Sequence, residues 1–209
     1  MTLPMYTELE VTIRRALDRV EAIAPERRAL LDQIASYISS KGRAGEEPRL
    51  TFICTHNSRR SQMGQLWAAA AAAHFGVDGV KTFSGGTEVT AFNPRAVAAM
   101  RRAGFAFEEA AGADANPHYL VRFSDDTPPL ECFSKVYDDP FNPSEGFAAL
   151  MTCGEADEAC PVVYGAAARV ALRYVDPKAA DDTPREAAAY DERSDQIATE
   201  MLYAFSKVA

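Results

Sequence analysis

The segment from residue 50 to residue 75 constrains this chain more than any other. Leu50-Thr51-Phe52-Ile53 is a short β-type run, Cys54-Thr55-His56-Asn57-Ser58-Arg59-Arg60-Ser61 is polar, and residues 61–75 are an alanine-rich helical stretch. A strand that passes through a tight polar loop into a helix turns successive backbone N–H groups toward one point, and the helix start adds partial positive charge there. The cysteine ends the strand and, after five intervening residues, Arg60 begins the helix. Arg60 can clasp two oxygens of a tetrahedral anion. The same field favours a thiolate, which makes Cys54 the candidate nucleophile. Thr55, His56, Asn57, Ser58, Arg59, Arg60 and Ser61 form the candidate oxyanion-binding set, with Ser61 able to bond the sulfur and Asn57 able to brace the loop. A bare C-x5-R also arises from a buried cysteine beside an incidental arginine; the strand–loop–helix setting and Ser61 weigh against that.

Around this segment the pattern alternates. Residues 6–42 read as two helices, with Leu9, Ile13, Leu17 and Val20 on one face and Leu30, Ile34 and Ile38 repeating it after Pro25. Thr7 and Glu10 have capping-box spacing, and Pro25 suits a first helical turn. Residues 41–48 carry linker signals, so residues 1–48 are expected to form a helical hairpin extension ahead of an α/β unit at 49–209. Residues 80–83 read as a second strand, and Asn93-Pro94 opens a helix that Gly104 stops. Residues 118–123 and 130–136 suggest a β-hairpin inside an insert at about 113–146. Residues 147–152 and 169–175 read as buried strands, and residues 184–208 as a long helix with Ile197, Met201, Leu202 and Phe205 inward. Strands alternating with helices predict a doubly wound, mainly parallel α/β sheet.

A chain of 209 residues supports a core that buries roughly 70% of its unfolded surface. The net charge of −8 argues against nucleic acid as a partner, so an anionic ligand needs a pocket whose local field opposes the global one. No apolar run reaches the ~18 residues of a membrane span, and the first residues resemble no secretory signal, so the expectation is a cytoplasmic protein with no membrane partner. Four cysteines without a CxxC pair, and three histidines without zinc-ligand spacing to them, predict no metal and no tightly bound cofactor.

The anion loop, Ser61-Gln62-Met63, Phe83-Ser84-Gly85-Gly86-Thr87 and Asn93-Pro94 resemble the low-molecular-weight protein tyrosine phosphatase family, and within it the thioredoxin-coupled arsenate reductase branch. The likeness covers roughly residues 49–208, interrupted by the insert. It implies that family's sheet, Cys54 as nucleophile, and arsenate or phosphate as the anion. Cys153 and Cys160 lie seven positions apart after a predicted strand. On an ideal helix they would stand about 10 Å apart along the axis, beyond the ~7 Å that a disulfide spans, so a bond between them requires the segment to unwind. Taken alone they also read as two small buried hydrophobes. The resemblance implies that Cys153 is the first resolving cysteine and Cys160 the second, with an external dithiol, thioredoxin, as the reductant.

A leaving oxygen needs a general acid. Asp139-Pro140 and Asp176-Pro177 compete; the predicted strand 169–175 delivers Asp176 to the carboxyl edge of the sheet, and Asp176 matches the family's Asp-Pro acid, whereas Asp139 suits a turn cap. Lys178 stands where phosphotyrosine-specific relatives carry an aromatic residue, which counts against that substrate. Arg59 stands where relatives carry a small residue or cysteine; it either adds positive field or sits in solvent, the second being favoured. His56 either lends charge to the loop or faces solvent. Gln65 replaces an acidic residue of a potassium site, which puts that site in doubt. Cys132 is read as packing. The function expected is thiol-dependent reduction of arsenate to arsenite. The alternatives are a phosphatase acting on phosphotyrosine or small phosphomonoesters, and a redox or oxyanion sensor.

Overall fold

The computed structural model describes residues 4–113, 115–159 and 162–208. In chain order these form α1 (Thr7–Leu17), α2 (Pro25–Arg43), β1 (Arg49–Cys54), α3 (Arg60–Phe75), β2 (Lys81–Gly86), α4 (Pro94–Arg102), β3 (Ala106–Ala113), β4 (Asn116–Arg122), β5 (Leu130–Cys132), β6 (Phe147–Met151), α5 (Gly154–Ala159), β7 (Ala166–Val170) and α6 (Glu186–Ser206). Cys160 lies outside the described residues.

β1 is flanked on both sides, in the sheet order β2-β1-β6-β7, and each of its neighbours runs parallel to it. β6 pairs parallel with β7 in turn. Strand residues alternate between two cores, as the period of two demands. Leu50, Phe52, Ala148, Leu150 and Val170 share one with residues of α1, α2, α3, α4 and α6. Ile53, Phe147, Ala149 and Met151 share the other with Cys153 and Ala156 of the α5 region. The sheet is therefore covered on both faces, the expected α/β arrangement. The apolar stripes of α1 and α2 join the first core through Leu9, Ile13, Leu31, Ile34 and Ile38. Gly64 lets α3 lie close on β1, because a Cβ there would stand 2.4 Å from the ring of Phe52.

Local signals were honoured where tertiary contacts agreed. Pro25 occupies the first turn of α2, and the Asn93 side chain caps α4 by accepting from the Arg95 N–H. Thr7 does not cap α1: Tyr6 holds the cap position, and its backbone N–H is tied to the Phe123 carbonyl at 3.1 Å, which fixes the start one residue earlier. The expected hairpin is the antiparallel pair β4–β5, and β3 adds a third strand on the other edge of β4. Ala106-Phe107-Glu108-Glu109-Ala110 carries no apolar/polar alternation, so the sequence does not announce β3. β2 runs on through Gly86 because Gly85 and Gly86 admit residues 135–137 alongside: a Cβ on Gly85 would meet the Tyr137 backbone at 2.3 Å. The strand expected over 169–175 ends at Val170. There the Leu172 N–H turns back to the Val170 carbonyl, and only Tyr174 rejoins the sheet, donating to Thr152 at 3.0 Å.

Candidate active site

Two parallel neighbours, β1 and β6, end at the same edge of the sheet, and each is followed within two residues by a cysteine or ends on one. Cys54 closes β1 and Cys153 stands just before α5; both are buried. Between Cys54 and α3 the loop makes its turn at Asn57, whose φ of +46° places a non-glycine residue in the left-handed region. That conformation costs about 1–2 kcal/mol, and the Asn57 side chain meets it with two bonds. Its Nδ2 donates to Ser61 Oγ at 2.9 Å and its Oδ1 accepts from the Lys135 N–H at 3.0 Å. Ser61 Oγ also lies 3.1 Å from Cys54 Sγ, where its hydroxyl can donate to a thiolate. The loop carbonyls are tied outward: Thr55 accepts from the Glu88 N–H and Thr87 Oγ1, and His56 from Ser134 Oγ and Thr90 Oγ1. With these carbonyls engaged on the outside, the loop N–H groups are not needed for those ties, which is compatible with an anion site. Gly86 has no room for a side chain beneath it, since a Cβ would lie 2.6 Å from the Thr55 carbonyl.

Arg60 opens α3 and is nearly buried. Its NH1 donates to the Tyr174 carbonyl at 2.9 Å and its NH2 to Asp176 Oδ2 at 2.7 Å, while its Nε is a buried donor with no hydrogen-bond partner. Asp176 is thus placed beside Arg60, through the irregular residues 171–176 instead of the expected strand. Asp139 takes the other role foreseen, accepting from the Phe141 N–H in a turn. Arg59 is a correction: its side chain is only 13% exposed, Nε donates to Tyr190 at 3.1 Å, and NH1 lies 3.7 Å from Asp176. The buried face of α6 draws it inward. His56 is half-exposed with Nε2 3.4 Å from Glu88, and Ser58 Oγ bonds the Ala91 carbonyl. A cavity of about 440 Å³ opens beside the loop, lined in part by His56, Arg59, Glu155, Asp176 and Lys178.

The Thr55 hydroxyl bridges the two thiol segments. It donates to Glu155 at 3.0 Å and lies 3.4 Å from Cys153 Sγ, which also accepts from the Ala156 N–H. Glu155, Tyr174 and Tyr190 were not foreseen; each enters by long-range packing, and none carries a local pattern that sets it apart. Cys132 lies in the core on β5, its thiol pushed up to about 12 by burial. Among the described residues no group of three or more His, Cys, Asp or Glu side chains is placed to hold a metal ion, and no helix is long and apolar enough to cross a membrane.

Residues 49–120 match the sequence model of the low molecular weight phosphotyrosine protein phosphatase family. An arsenate reductase of Bacillus licheniformis is 30% identical over 142 residues, 68% of this chain and 83% of its own length. An arsenate reductase of Bacillus subtilis is 29% identical over 148 residues, 71% of this chain and 87% of its own. Among solved structures, a mutant of YwlE from Bacillus subtilis superposes with a TM-score of 0.51 at 13% identity, over 78% of this chain and 99% of that one, which is a likeness of fold. With a C-x5-R loop closed on a strand-end cysteine and a second buried thiol beside it, the chain belongs to the arsenate reductase branch of the low-molecular-weight protein tyrosine phosphatase family.

Proposed function

We propose that this protein reduces arsenate to arsenite, with residues 49–209 carrying the chemistry and residues 1–48 bracing it. The observation that carries this reading is the position of Cys153: a second buried thiol, held against Thr55 of the anion loop, which hydrolysis of a phosphate ester does not require. Arsenate occupies the loop of residues 54–61, where the N–H groups and Arg60 take its oxygens. The Cys54 thiolate attacks arsenic, and protonated Asp176 gives its proton to the departing oxygen, which leaves as water. The Cys153 thiolate then attacks Cys54 Sγ. The sulfur–arsenic bond breaks with its electron pair retained on arsenic, so As(V) becomes As(III) and two thiols become one disulfide. Cys160 attacks Cys153 Sγ and releases Cys54, and the Cys153–Cys160 disulfide is reduced by an external dithiol, thioredoxin in this reading. No bound cofactor enters this balance, since both electrons come from thiols.

The test is NADPH consumption with thioredoxin and its reductase, with and without arsenate. Arsenate-dependent oxidation that vanishes in Cys153→Ser supports the relay. Hydrolysis of an aryl phosphate at full rate in a Cys153→Ser, Cys160→Ser double variant, without arsenate-dependent oxidation in the wild type, would make the protein a phosphatase instead.

A further inference from the structure

Asp176 Oδ2 faces two guanidinium groups, Arg60 at 2.7 Å and Arg59 at 3.7 Å. The pair and its carboxylate leave one net positive charge at the mouth of the loop, in a chain whose overall charge is −8. Arg59 is not there by default. A long cationic side chain held at 13% exposure gives up hydration and rotamer freedom, which the site must offset. Its holder is a chain of groups from other elements. Tyr190, buried on α6, accepts from Arg59 Nε and donates its own proton to Asp181 at 2.8 Å; Asp181 in turn lies 3.8 Å from Arg95 of α4. The Tyr190 phenol is raised to about 12, chiefly by burial, so it stays protonated and the direction of these bonds is fixed. With Nε spent on Tyr190, Arg59 turns a terminal amino group toward Asp176 and lines the cavity outside the loop.

We infer that Arg59 is a second anion-binding arginine, which Tyr190 and Asp181 hold over the mouth of the loop so that its terminal nitrogens take the outward oxygen of a tetrahedral oxyanion while Arg60 takes the inner ones. This deepens the oxyanion reading of residues 54–61 and rests on it. Asp176 then loses its arginine as the anion arrives: Arg60 turns its fork to the ligand, Arg59 is drawn to the ligand's outward oxygen, and Asp176 is left free to hold the proton that the departing oxygen takes. The ligand class is the oxyanion carrying its full charge, inorganic arsenate or phosphate, in preference to esters whose outward oxygen is alkylated and neutral.

The experiment titrates inorganic phosphate, which has the same tetrahedron and is not reduced, into the fully reduced wild-type protein, Arg59→Gln and Tyr190→Phe by calorimetry, with thermal melts alongside. Loss of a charge-assisted bond predicts about a tenfold to a hundredfold weaker affinity in Arg59→Gln, and a smaller loss in Tyr190→Phe, which keeps the charge and loosens its aim. If Arg59 merely ties the loop to α6, the melting temperature falls and phosphate affinity stays within about twofold of wild type, and that result overturns the inference. Where Arg59→Gln does not fold, Arg59→Lys replaces it, keeping the charge without the fork; unchanged affinity there overturns the inference equally. A wild-type protein that binds no phosphate overturns the oxyanion reading itself, a failure distinct from the first.

Discussion

β1 and β6 are neighbours that run in the same direction, and each leads to a buried cysteine and then a helix, yet the two thiols are held in contrasting ways. Cys54 is followed by a loop with side-chain bonds from Asn57, Ser61, Thr87, Thr90 and Ser134 and by a helix of 16 residues packed on the sheet. Cys153 is followed at once by α5, six residues long. A helix so short has no stability of its own. It is kept by Ala156 in the second core and by Asp157, which Arg169 and Arg173 grip from the β7 side. The lesson is a division of labour between neighbouring strand ends. One presents a loop that many side-chain bonds fix, which suits the cradle proposed for attack on arsenic. The other presents a thiol beside a six-residue helix held by side-chain ties instead of helix length, which suits the travelling nucleophile of the proposed relay.

The largest effects should separate the two ends cleanly. Cys54→Ser or Arg60→Lys removes the cradle's chemistry, and arsenate turnover should fall by about a thousandfold or more, with no burst of arsenite. Cys160→Ser should leave the first steps intact: one arsenite per protein, then a stalled Cys54–Cys153 disulfide that mass spectrometry of peptides detects. Sustained turnover in Cys160→Ser would break the contrast, because Cys153 would then need no second thiol.

Next in size are variants of the ties themselves. Asn57→Ala leaves a left-handed residue without its two side-chain bonds, and about 2–3 kcal/mol of stability should be lost, read by denaturant unfolding. Asp157→Asn weakens the grip on α5 instead. Its expected signature is local: alkylation of Cys153 should accelerate by roughly tenfold to a hundredfold, while alkylation of Cys132 does not change. Equal acceleration at both cysteines would mean that the whole domain had loosened, and the two strand ends would then not be independent. At the contact between them, Thr55→Val removes the hydroxyl that joins Glu155 and Cys153 while conserving volume. We expect Cys54–Cys153 disulfide formation to slow about tenfold with arsenate binding unchanged, measured by rapid quench with single-turnover arsenite release.

The same contrast explains what the sequence disclosed. What the sequence disclosed of the Cys54 loop is local: an apolar run, a cysteine, five residues and an arginine at a helix start leave few geometries open. The strand–loop–helix turn, the bonds of Ser61 to Cys54 and of Asn57 within the loop, and the parallel α/β sheet could therefore be read directly, whereas the Asn57 bond to the Lys135 N–H could not. The family resemblance rested on these residues together with Phe83-Ser84-Gly85-Gly86-Thr87 and Asn93-Pro94. The surroundings of the loop come from far away in the chain. Tyr190 reaches Arg59 from 131 positions on, and Tyr174 offers a backbone carbonyl to Arg60, a contact that no side-chain pattern encodes. Arg59 accordingly read as solvent-facing, since nothing near it in sequence says that α6 will cover it. β3 escaped for a related reason, as its place is set by pairing with β4 rather than by alternation. Asp176 lies beside Arg60 although the strand expected to deliver it ends six residues earlier.

The smallest effect belongs to the thiol that neither strand end uses. Cys132 sits fully buried on β5, and burial raises its thiol to about 12. The folded protein therefore holds this proton to higher pH than the unfolded chain, where a thiol ionises near about 8.5. Between those values the unfolded state binds fewer protons than the native one, so stability falls as pH rises. Below about pH 8.5 both states carry the proton and the contribution is fully present. Cys132→Ala removes this titration, and its unfolding free energy should decline less steeply than that of the wild type as pH is raised from 9 toward 11. At neutral pH the same variant should lose only about 1 kcal/mol for the smaller side chain, with arsenate turnover unchanged. A turnover defect in Cys132→Ala would give the insert a redox part to play, and the chemistry would then no longer be confined to the ends of β1 and β6.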